Sequence, residues 1–292
     1  DIEGARQIFR EAKETARGIV SENYRSVALS EIAEAQAEVA KGQAKAGDIE
    51  GAKKILKEAK QTLKEAKETA RGVDDWALEK AKEAACVMDS AIEEVVNQLL
   101  INAKENAGAG DIEGARQKFE EAKETARGID EEFRRSMKLR GIAIDQAEAG
   151  DIEGARQTFQ EAKETARGIV SENYRSVALI WIVRAQAYVA RDQARVRDIE
   201  GAKQILEEAK DTAKGIDDQR YRSEVFCEIA EVQTEVEDIE GARQKLEEAK
   251  ETARGIDDEY QKSKTLREIA RAQASVRDIE WASQTLKEAK ET

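Results

Sequence analysis

Apolar residues recur along this chain in one pattern, which predicts a repeated amphipathic helix. Between Asp151 and Ile169 they lie three or four residues apart, at Ile152, Ala155, Phe159, Ala162, Ala166 and Ile169. This spacing puts all of them on one face of an α-helix, with Arg, Lys, Glu and Gln on the opposite face. Much of the stripe is alanine, so each helix must bury its face against close neighbours.

The ends of this helix carry capping signals. The carboxylate of Asp151 can accept hydrogen bonds from the free N–H groups of the first turn. Gly168 followed by Ile169 has the signature of a Schellman motif, which predicts a left-handed backbone at Gly168. Gly154 is predicted to allow close contact with another helix.

Seven copies of this helix organise the chain. They begin at Asp1, Asp48, Asp111, Asp151, Asp198, Asp238 and Asp278, so successive starts are 47, 63, 40, 47, 40 and 40 residues apart. The 47-residue units contain about two extra helical turns, which keeps the apolar stripe on one face. Residues 1–29 and 151–179 differ only at Ile8/Thr158 and Arg10/Gln160, which indicates a duplicated block of natural or designed origin.

The segments between the copies predict a second, returning helix in each unit. They share an apolar pattern and a glutamine at one site: Gln36, Gln146, Gln186, Gln233 and Gln273. Residues 1–292 are therefore predicted to form a single continuous array of about thirteen helices. The fold class is an all-α, right-handed α-solenoid of antiparallel helix pairs.

Residues 48–110 form an irregular, longer unit. Its second helix is predicted from Trp76 to about Asn106 and contains an apolar patch: Val95, Val96, Leu99, Leu100 and Ile101. One interpretation is that two long helices pack on each other. The other is a protruding hairpin that contacts a partner or a second copy of the chain.

One unit resembles the tetratricopeptide repeat. The resemblance rests on apolar and small residues of the returning helix, a Gly-Asp turn, and Ala-x3-Phe-x2-Ala: Leu139, Ile142, Ala143, Gly150, Asp151, Ala155, Phe159 and Ala162. In that register the returning helix is helix A and the Asp-Ile-Glu helix is helix B. The unit is longer than the family's, Gln146 replaces a usual aromatic residue, and the family's proline is absent.

The resemblance implies that helix A lines a concave surface that holds ligands. Its outward positions are Ser30, Glu34, Arg140, Ile144, Ile180, Arg184, Cys227, Glu231, Arg267 and Arg271. Four arginines there suggest a groove for an acidic segment or a chain-terminal carboxylate, bound through forked hydrogen bonds. The alternative is that the arginines pair with glutamates of neighbouring repeats. The repeated glutamines either bind peptide backbone in the groove or bond to a neighbouring repeat.

The amino-acid composition limits the kinds of partner and site that the chain can have. The 292 residues include 49 basic and 62 acidic side chains, with a formal net charge of −13, no histidine and no proline. The acidity argues against a nucleic-acid partner, and the lack of histidine removes the commonest general base and metal ligand. Cys86 and Cys227 have no metal-type spacing and are predicted to be small buried hydrophobes. We therefore expect no catalytic residue, cofactor or metal site.

The sequence also gives expectations about the cellular location of the protein and about whether this chain is a fragment. No apolar run is long enough to span a bilayer and no signal peptide is visible, so we expect a cytoplasmic protein without membrane insertion. The chain begins without Met and ends inside a repeated phrase, which suggests a fragment of a longer array. Near that end, Trp281 replaces the glycine of the other copies and is predicted to cover apolar surface.

The sequence predicts a non-catalytic protein–protein interaction scaffold that holds a peptide or protein partner on the helix A face. The alternative is a structural repeat protein that self-assembles through its ends or through the 48–110 unit, including a consensus-like designed array. An enzyme is not expected, because the one irregular region lacks a cluster of unusual polar residues.

Overall fold

The computed structural model describes residues 2–72, 75–276 and 278–292. These residues form thirteen α-helices and no strand, as the sequence predicts. The helices are α1 (Ile2–Arg17), α2 (Glu22–Lys45), α3 (Ile49–Ala70), α4 (Asp75–Gly108), α5 (Ile112–Ala126), α6 (Glu132–Glu148), α7 (Ile152–Arg167), α8 (Glu172–Arg195), α9 (Ile199–Ala213), α10 (Gln219–Glu235), α11 (Ile239–Arg254), α12 (Glu259–Ser275) and α13 (Ile279–Glu291). Asp1, the predicted start of the first copy, lies outside the described residues.

Helices A and B alternate along the chain. The odd-numbered helices are the repeated helices B, and the even-numbered ones are the returning helices A. Helix α2 packs on α3, α8 on α9, α10 on α11 and α12 on α13, so these helices A pair with the helix B that follows. Serines reinforce the pairing, because Ser26 Oγ donates to the Ala66 carbonyl at 3.0 Å and Ser263 Oγ to the Ala289 carbonyl at 2.6 Å.

The chain packs as two compact units, Asp1–Lys138 and Leu139–Thr292. In the first unit, residues of α1, α2 and α3 form one buried cluster: Ala16, Leu29 and Ala66. In the second unit, a cluster joins α10, α11 and α12: Ala230, Ala242, Leu246, Ala272 and Val276. Both clusters are built from helices that follow one another in sequence, as in repeat arrays. A single continuous array over residues 1–292 stays a prediction.

The turn from helix A to helix B is a Schellman motif. Gly47, Gly110 and Gly150 have φ angles of 84°, 82° and 83°. After Gly150, the backbone N–H of Asp151 donates to the Gln146 carbonyl at 2.8 Å, which closes the motif. Glycine suits this position because a left-handed backbone costs it no steric strain.

At two of these turns the described residues include an ordinary amino acid in place of the glycine. Arg197 and Glu237 occupy the corresponding positions with φ angles of 66° and 60°. Each is followed by an aspartate whose N–H makes the same hydrogen bond: Asp198 N to Gln193 O at 2.9 Å and Asp238 N to Gln233 O at 2.8 Å. The motif therefore forces an ordinary residue into a strained conformation.

The aspartate after the turn caps helix B through its side chain in five of the described copies: Asp48, Asp111, Asp198, Asp238 and Asp278. Asp151, for which the sequence predicts the same bond, makes no side-chain cap hydrogen bond, and its carboxylate accepts from Gln146. The carboxylate of Asp48 accepts from Gly51 N at 2.9 Å, and Asp198 accepts from Gly201 N at the same distance. A Cβ at Gly154 would lie 2.1 Å from Asp151 Oδ2 and 2.7 Å from Gln146 Nε2. The glycine thus leaves room for Asp151 and for the Gln146 amide of α6, so it allows close contact with a side chain of another helix, as predicted.

The turn from helix B to helix A differs from the prediction. Gly168 has a φ of −71°, which is a right-handed helical conformation. Its N–H donates to Thr165 O at 3.2 Å and the Ile169 N–H donates to Ala166 O at 3.1 Å. The helix therefore ends in a tightened 3₁₀-type turn, and the predicted Schellman motif at Gly168 is wrong.

The irregular unit consists of two long packed helices. Helix α4 packs against α2, α3 and α5. Four of the five patch residues are buried, and only Ile101 is largely exposed, at 48%. The carboxylate of Asp89 on α4 accepts from the backbone N–H groups of Asp130 and Glu131 at 2.8 and 3.1 Å. The patch thus belongs to the core of the first unit, and the protruding-hairpin interpretation is wrong.

Candidate functional site

The predicted outward positions on helix A are not all outward. Ser30 is buried and donates to its own helix, with Ser30 Oγ 2.9 Å from Ser26 O. Ile180 is buried as well, with 6% of its surface exposed. The apolar face of these long helices is wider than the predicted stripe, so neither side chain can meet a ligand at the surface.

The other predicted positions reach the surface to different extents. Glu34, Glu231, Arg267 and Arg271 are exposed, while Arg140, Ile144, Arg184 and Cys227 are partly buried. Arg267 turns to its own helix, where Nε donates to Ser263 O at 3.3 Å. The sites that combine charge with partial burial are therefore Arg140 and Arg184.

Arg184 forms an ion pair with the next helix A. Its Nε lies 3.0 Å and its Nη2 lies 2.8 Å from Glu228 Oε1. The hydrogen bond that Arg184 donates to the Glu228 carboxylate raises the pKa of the Arg184 guanidinium. This pairing is the one that the neighbouring-repeat alternative predicts for the arginines.

Arg140 has a different environment. Its guanidinium carbon lies 5.7 Å from the centroid of the Trp181 ring, and that of Arg184 lies at the same distance from the same ring. Burial lowers the pKa of Arg140. Within the described part of the chain, its Nε has no hydrogen-bond partner. Arg140 is thus a half-buried cation that stacks on an indole ring without a carboxylate to neutralise it.

Two aromatic residues on α8 complete the site. Trp181 and Tyr188 expose 46% and 45% of their surfaces. They lie three residues before and four residues after Arg184, and therefore share its helix face. We call the group of Arg140, Trp181, Arg184 and Tyr188 the α8 surface. Its exposed aromatic and arginine side chains are the residue types that most often dominate binding energy at protein interfaces.

The aromatic residues were missed because periodicity alone does not single them out. A comparison of the duplicated copies would have found them. The positions of Trp181, Arg184 and Tyr188 correspond to three glutamates in the first copy, Glu31, Glu34 and Glu38. All three glutamates are exposed. The copies thus keep one helix and change its exposed side chains from acidic to basic and aromatic.

The repeated glutamines are buried: Gln36, Gln146, Gln186, Gln233 and Gln273. At two of them the side-chain amide holds the aspartate that caps the next helix. Gln146 Nε2 lies 3.4 Å from Asp151 Oδ2, and Gln233 Nε2 lies 2.7 Å from Asp238 Oδ2. Gln146 and Gln233 thus bond to the start of the following helix instead of facing a peptide.

In α2 and α8 the extra two turns place the repeated glutamine two turns farther from the capping aspartate. Gln43 stands at the turn after α2, where its backbone carbonyl accepts from Asp48 N at 2.9 Å, as the Gln146 carbonyl does from Asp151 N. Within the described residues, Gln36 Oε1 and Gln186 Oε1 are left buried without hydrogen-bond partners. Each is an acceptor that a suitable donor could satisfy.

The surface of α10 beside the α8 surface is acidic. Glu224, Glu228, Glu231 and Glu268 line a cavity of about 330 Å³ with Cys227. Burial raises the pKa of the Glu224 carboxyl and of the Cys227 thiol, so the thiol is unreactive. Cys86 is exposed, and its prediction as a buried hydrophobe is wrong. The described residues contain no group of three or more His, Cys, Asp or Glu side chains that could hold a metal ion.

Trp281 packs against the buried cluster of α10, α11 and α12. Its backbone N–H still donates to the capping carboxylate, at 3.1 Å from Asp278 Oδ1. The tryptophan therefore covers apolar surface near the end of the chain, as predicted, while the aspartate cap is retained.

Comparison with known proteins supports the architecture. No family model matches the sequence, and no curated protein matches it. A circular tandem repeat protein with a novel repeat topology and enhanced subunit contact surfaces aligns over 99% of this chain and 76% of its own, with 16% identity and a TM-score of 0.54. This chain has an all-α tandem-repeat fold. At 16% identity, the similarity between this chain and the circular repeat protein concerns the fold alone.

More distant structures include other repeat proteins. A signal transduction ATPase with numerous domains and a tetratricopeptide repeat sensor, from Pyrococcus horikoshii, aligns over 99% of this chain and 38% of its own, with 16% identity and a TM-score of 0.36. The apo form of RapI aligns over 89% and 76%, with 12% identity and the same TM-score. Among the described helices of the present repeat protein, none is long and apolar enough to cross a membrane.

Proposed function

We propose that this repeat protein is a scaffold that binds an acidic peptide segment of a protein partner at the α8 surface. The observation that carries the proposal is Arg140, a half-buried guanidinium stacked on an exposed tryptophan with no carboxylate partner among the described residues. A carboxylate from a partner would supply the missing charge, and a charge-assisted hydrogen bond to a half-desolvated guanidinium is a strong one.

The neighbouring side chains would divide the work of recognition. Trp181 and Tyr188 offer rigid apolar surface against which a peptide can stack at low entropic cost. Arg184 is held by Glu228 and so keeps a fixed orientation beside the indole ring. The acidic α10 surface, with Glu231 exposed, would repel an acidic ligand and confine it to α8.

Selection from a displayed random peptide library tests the proposal. The bait is the whole chain, and the counter-selection bait carries Trp181→Glu, Arg184→Glu and Tyr188→Glu. These replacements are the residues of the first copy, so the helix is known to accept them. We expect the selected peptides to contain Asp or Glu next to an aromatic or aliphatic residue.

A matched variant on α2 serves as the control for the peptide selection. Glu31→Gln, Glu34→Gln and Glu38→Gln on α2 form the matched variant and should leave peptide binding unchanged. Peptides that bind the α8 variant as tightly as the natural chain, or that carry no acidic residue, would contradict the proposal. Circular dichroism of each variant checks that the helices are retained.

Self-association is the second candidate function. Its support is the exposure of large apolar side chains on the first and last helices, Ile8 on α1 at 66% and Leu286 on α13 at 40%. Sedimentation over a range of concentrations measures it. An increase in mass that Ile8→Thr abolishes would favour this candidate, because threonine is the residue in the second copy. A constant monomer mass would exclude it.

A further inference from the structure

The first unit contains a cationic cleft between α1 and α3. Its volume is about 570 Å³, which is within the range of small-ligand pockets. Helix α1 contributes three of its cations, α3 contributes two more, and one carboxylate is present: Arg6, Arg10, Lys13, Lys54, Lys57 and Glu58. Five cations around one carboxylate are unusual for a chain of net charge −13.

The cations of the cleft are unevenly paired. Arg6 Nε donates to Glu58 Oε1 at 2.9 Å, so the single carboxylate is already engaged. Arg10 lies 3.8 Å from Glu3 and 4.0 Å from Glu58, and Lys13 forms an ion pair with Glu65 at 3.0 Å. In the described part of the chain, Lys54 and Lys57 are exposed and form no ion pair. These two lysines are therefore the cations of the cleft whose charge the described residues leave unpaired.

The cleft also contains a buried polar group without a partner. Gln36 lines the cleft and exposes only 3% of its surface. Its Oε1 is the unpaired acceptor described above. This oxygen is itself buried, so a ligand that enters between the cations could donate a hydrogen bond to it once the Gln36 side chain turns toward the cleft. A buried acceptor without a partner is unfavourable, which would favour such a rearrangement.

The second copy of the block separates the two features. Its Gln186 also has an unpaired, buried Oε1. The positions of Arg10, Lys54 and Lys57, however, hold Gln160, Gln204 and Glu207 there. The unpaired acceptor thus recurs along the described repeats, also at Gln233 and Gln273, while the additional cations belong to the first copy alone.

We propose that the α1–α3 cleft binds a small, multiply charged anion that carries at least one hydrogen-bond donor, such as a phosphorylated or polycarboxylate compound with a hydroxyl group. Lys54, Lys57 and Arg10 provide the charge, and Gln36 accepts from the donor. The site is separate from the α8 surface and does not depend on the function proposed for it.

Isothermal titration calorimetry at low salt tests the proposal with pyrophosphate, citrate and glycerol 2-phosphate as probes. We expect saturable binding of one equivalent of at least one probe. The variant Arg10→Gln, Lys54→Gln, Lys57→Glu should weaken it by about tenfold or more, since charged hydrogen bonds are lost. Binding of the phosphates or of citrate alone would identify which anion the site prefers.

A reciprocal variant sharpens the test. Gln160→Arg, Gln204→Lys, Glu207→Lys places the same cations in the second copy, and we expect the number of sites to rise from one to two. Gln36→Leu should weaken the hydroxyl-bearing probes, citrate and glycerol 2-phosphate, more than pyrophosphate.

Three results would overturn the proposal. They are the absence of saturable binding for all three probes, equal affinity of the Arg10/Lys54/Lys57 variant, and binding of polyglutamate alone, which would indicate a macromolecular partner. Peptide binding at the α8 surface has its own readout, so a failure at one site is distinguishable from a failure at the other.

Discussion

Residues 1–45 and 151–195 are two copies of one segment that have kept their fold and changed their surfaces. In both, a helix B is followed by a long helix A, α2 or α8, and the first 29 residues are nearly identical. Beyond that point the exposed face of α2 carries Glu31, Glu34 and Glu38, where α8 carries tryptophan, arginine and tyrosine. The buried Leu29 and Leu179 are unchanged.

This difference teaches where such a chain can vary. The apolar side of each helix is constrained by its packed neighbours, although Ser30 and Ala33 of α2 still correspond to the larger, buried Ile180 and Val183 of α8. The exposed side has no such constraint and can acquire charge or aromatic residues at little cost. New binding surfaces can therefore arise in one copy while the other keeps an inert version, which serves as an internal control.

The largest effect is expected from converting α8 to the α2 pattern. Trp181→Glu, Arg184→Glu and Tyr188→Glu together should reduce the affinity for a selected acidic peptide by at least about 2–4 kcal/mol, because aromatic and arginine anchors are lost. Fluorescence anisotropy of the labelled peptide measures it. The α2 variant with three glutamines should retain full affinity, and a similar loss in both variants would contradict a site on α8.

Arg140→Ile should move binding and stability in opposite directions. Affinity for the acidic peptide should fall by about 1.5–3 kcal/mol, because a charged hydrogen bond is lost. Stability without peptide should rise by about 1 kcal/mol, because a half-buried, unpaired cation is replaced by the residue type found at Ile180. Titration and urea unfolding measure the two quantities. A loss of stability would show that Arg140 has a structural partner instead.

The copies also differ at the turn after helix A, where Gly47 corresponds to Arg197. Arg197→Gly should stabilise the second unit by about 0.5–1 kcal/mol, since glycine adopts the left-handed backbone without strain. Gly47→Arg should destabilise the first unit by a similar amount. Thermal melts of the two variants check this, and shifts of the same sign would refute the expected reciprocity.

The smallest effect concerns the ion pairs between successive helices B. The hydrogen bond from Arg17 holds the pKa of Glu65 at about 2, below its usual 4.5, and Lys163 lowers that of Asp211 in the second copy. A depressed carboxyl pKa adds stability above the unfolded pKa, and this stability is lost as the pH falls through the folded value.

Glu65→Gln should therefore cost about 0.5 kcal/mol at neutral pH, as expected for partly exposed pairs. The difference from the natural chain should shrink at about pH 3 and below. Urea unfolding at both pH values measures it. Asp211→Asn, at a more exposed carboxylate, is the matched variant and should cost less. A difference that grows in acid would contradict the assigned pKa of Glu65.

Much of the fold was predictable because its determinants are local. The apolar spacing and the capping aspartates give the helices and their starts, and both depend on residues within a few positions of each other. The two glycine turns were not distinguishable. After Gly150, the N–H of Asp151 donates to the carbonyl of Gln146, five residues back. After Gly168, the N–H of Ile169 donates to the carbonyl of Ala166, only three residues back, and Gly168 keeps a right-handed backbone.

The site was only partly predictable, because exposure depends on which helices pack against one another. The resemblance to the tetratricopeptide repeat placed Ser30 and Ile180 on the outside, although both are buried. It selected Arg140 and Arg184 but not Trp181, the ring on which both guanidinium groups stack. Ring contacts between residues about 40 positions apart cannot be read from a local pattern.

The joint between helix A and helix B has a further consequence. Its hydrogen bonds are all made within about eight residues, from the last glutamine of helix A to the N–H groups that follow the aspartate. Helices α2 and α8 are seven residues longer than the other helices A of the regular units, yet the same backbone hydrogen bond closes the turn that follows them. Helix A can thus be lengthened by whole turns while the hydrogen bonds of the following turn stay the same. Helix length and turn geometry can therefore vary independently in this repeat.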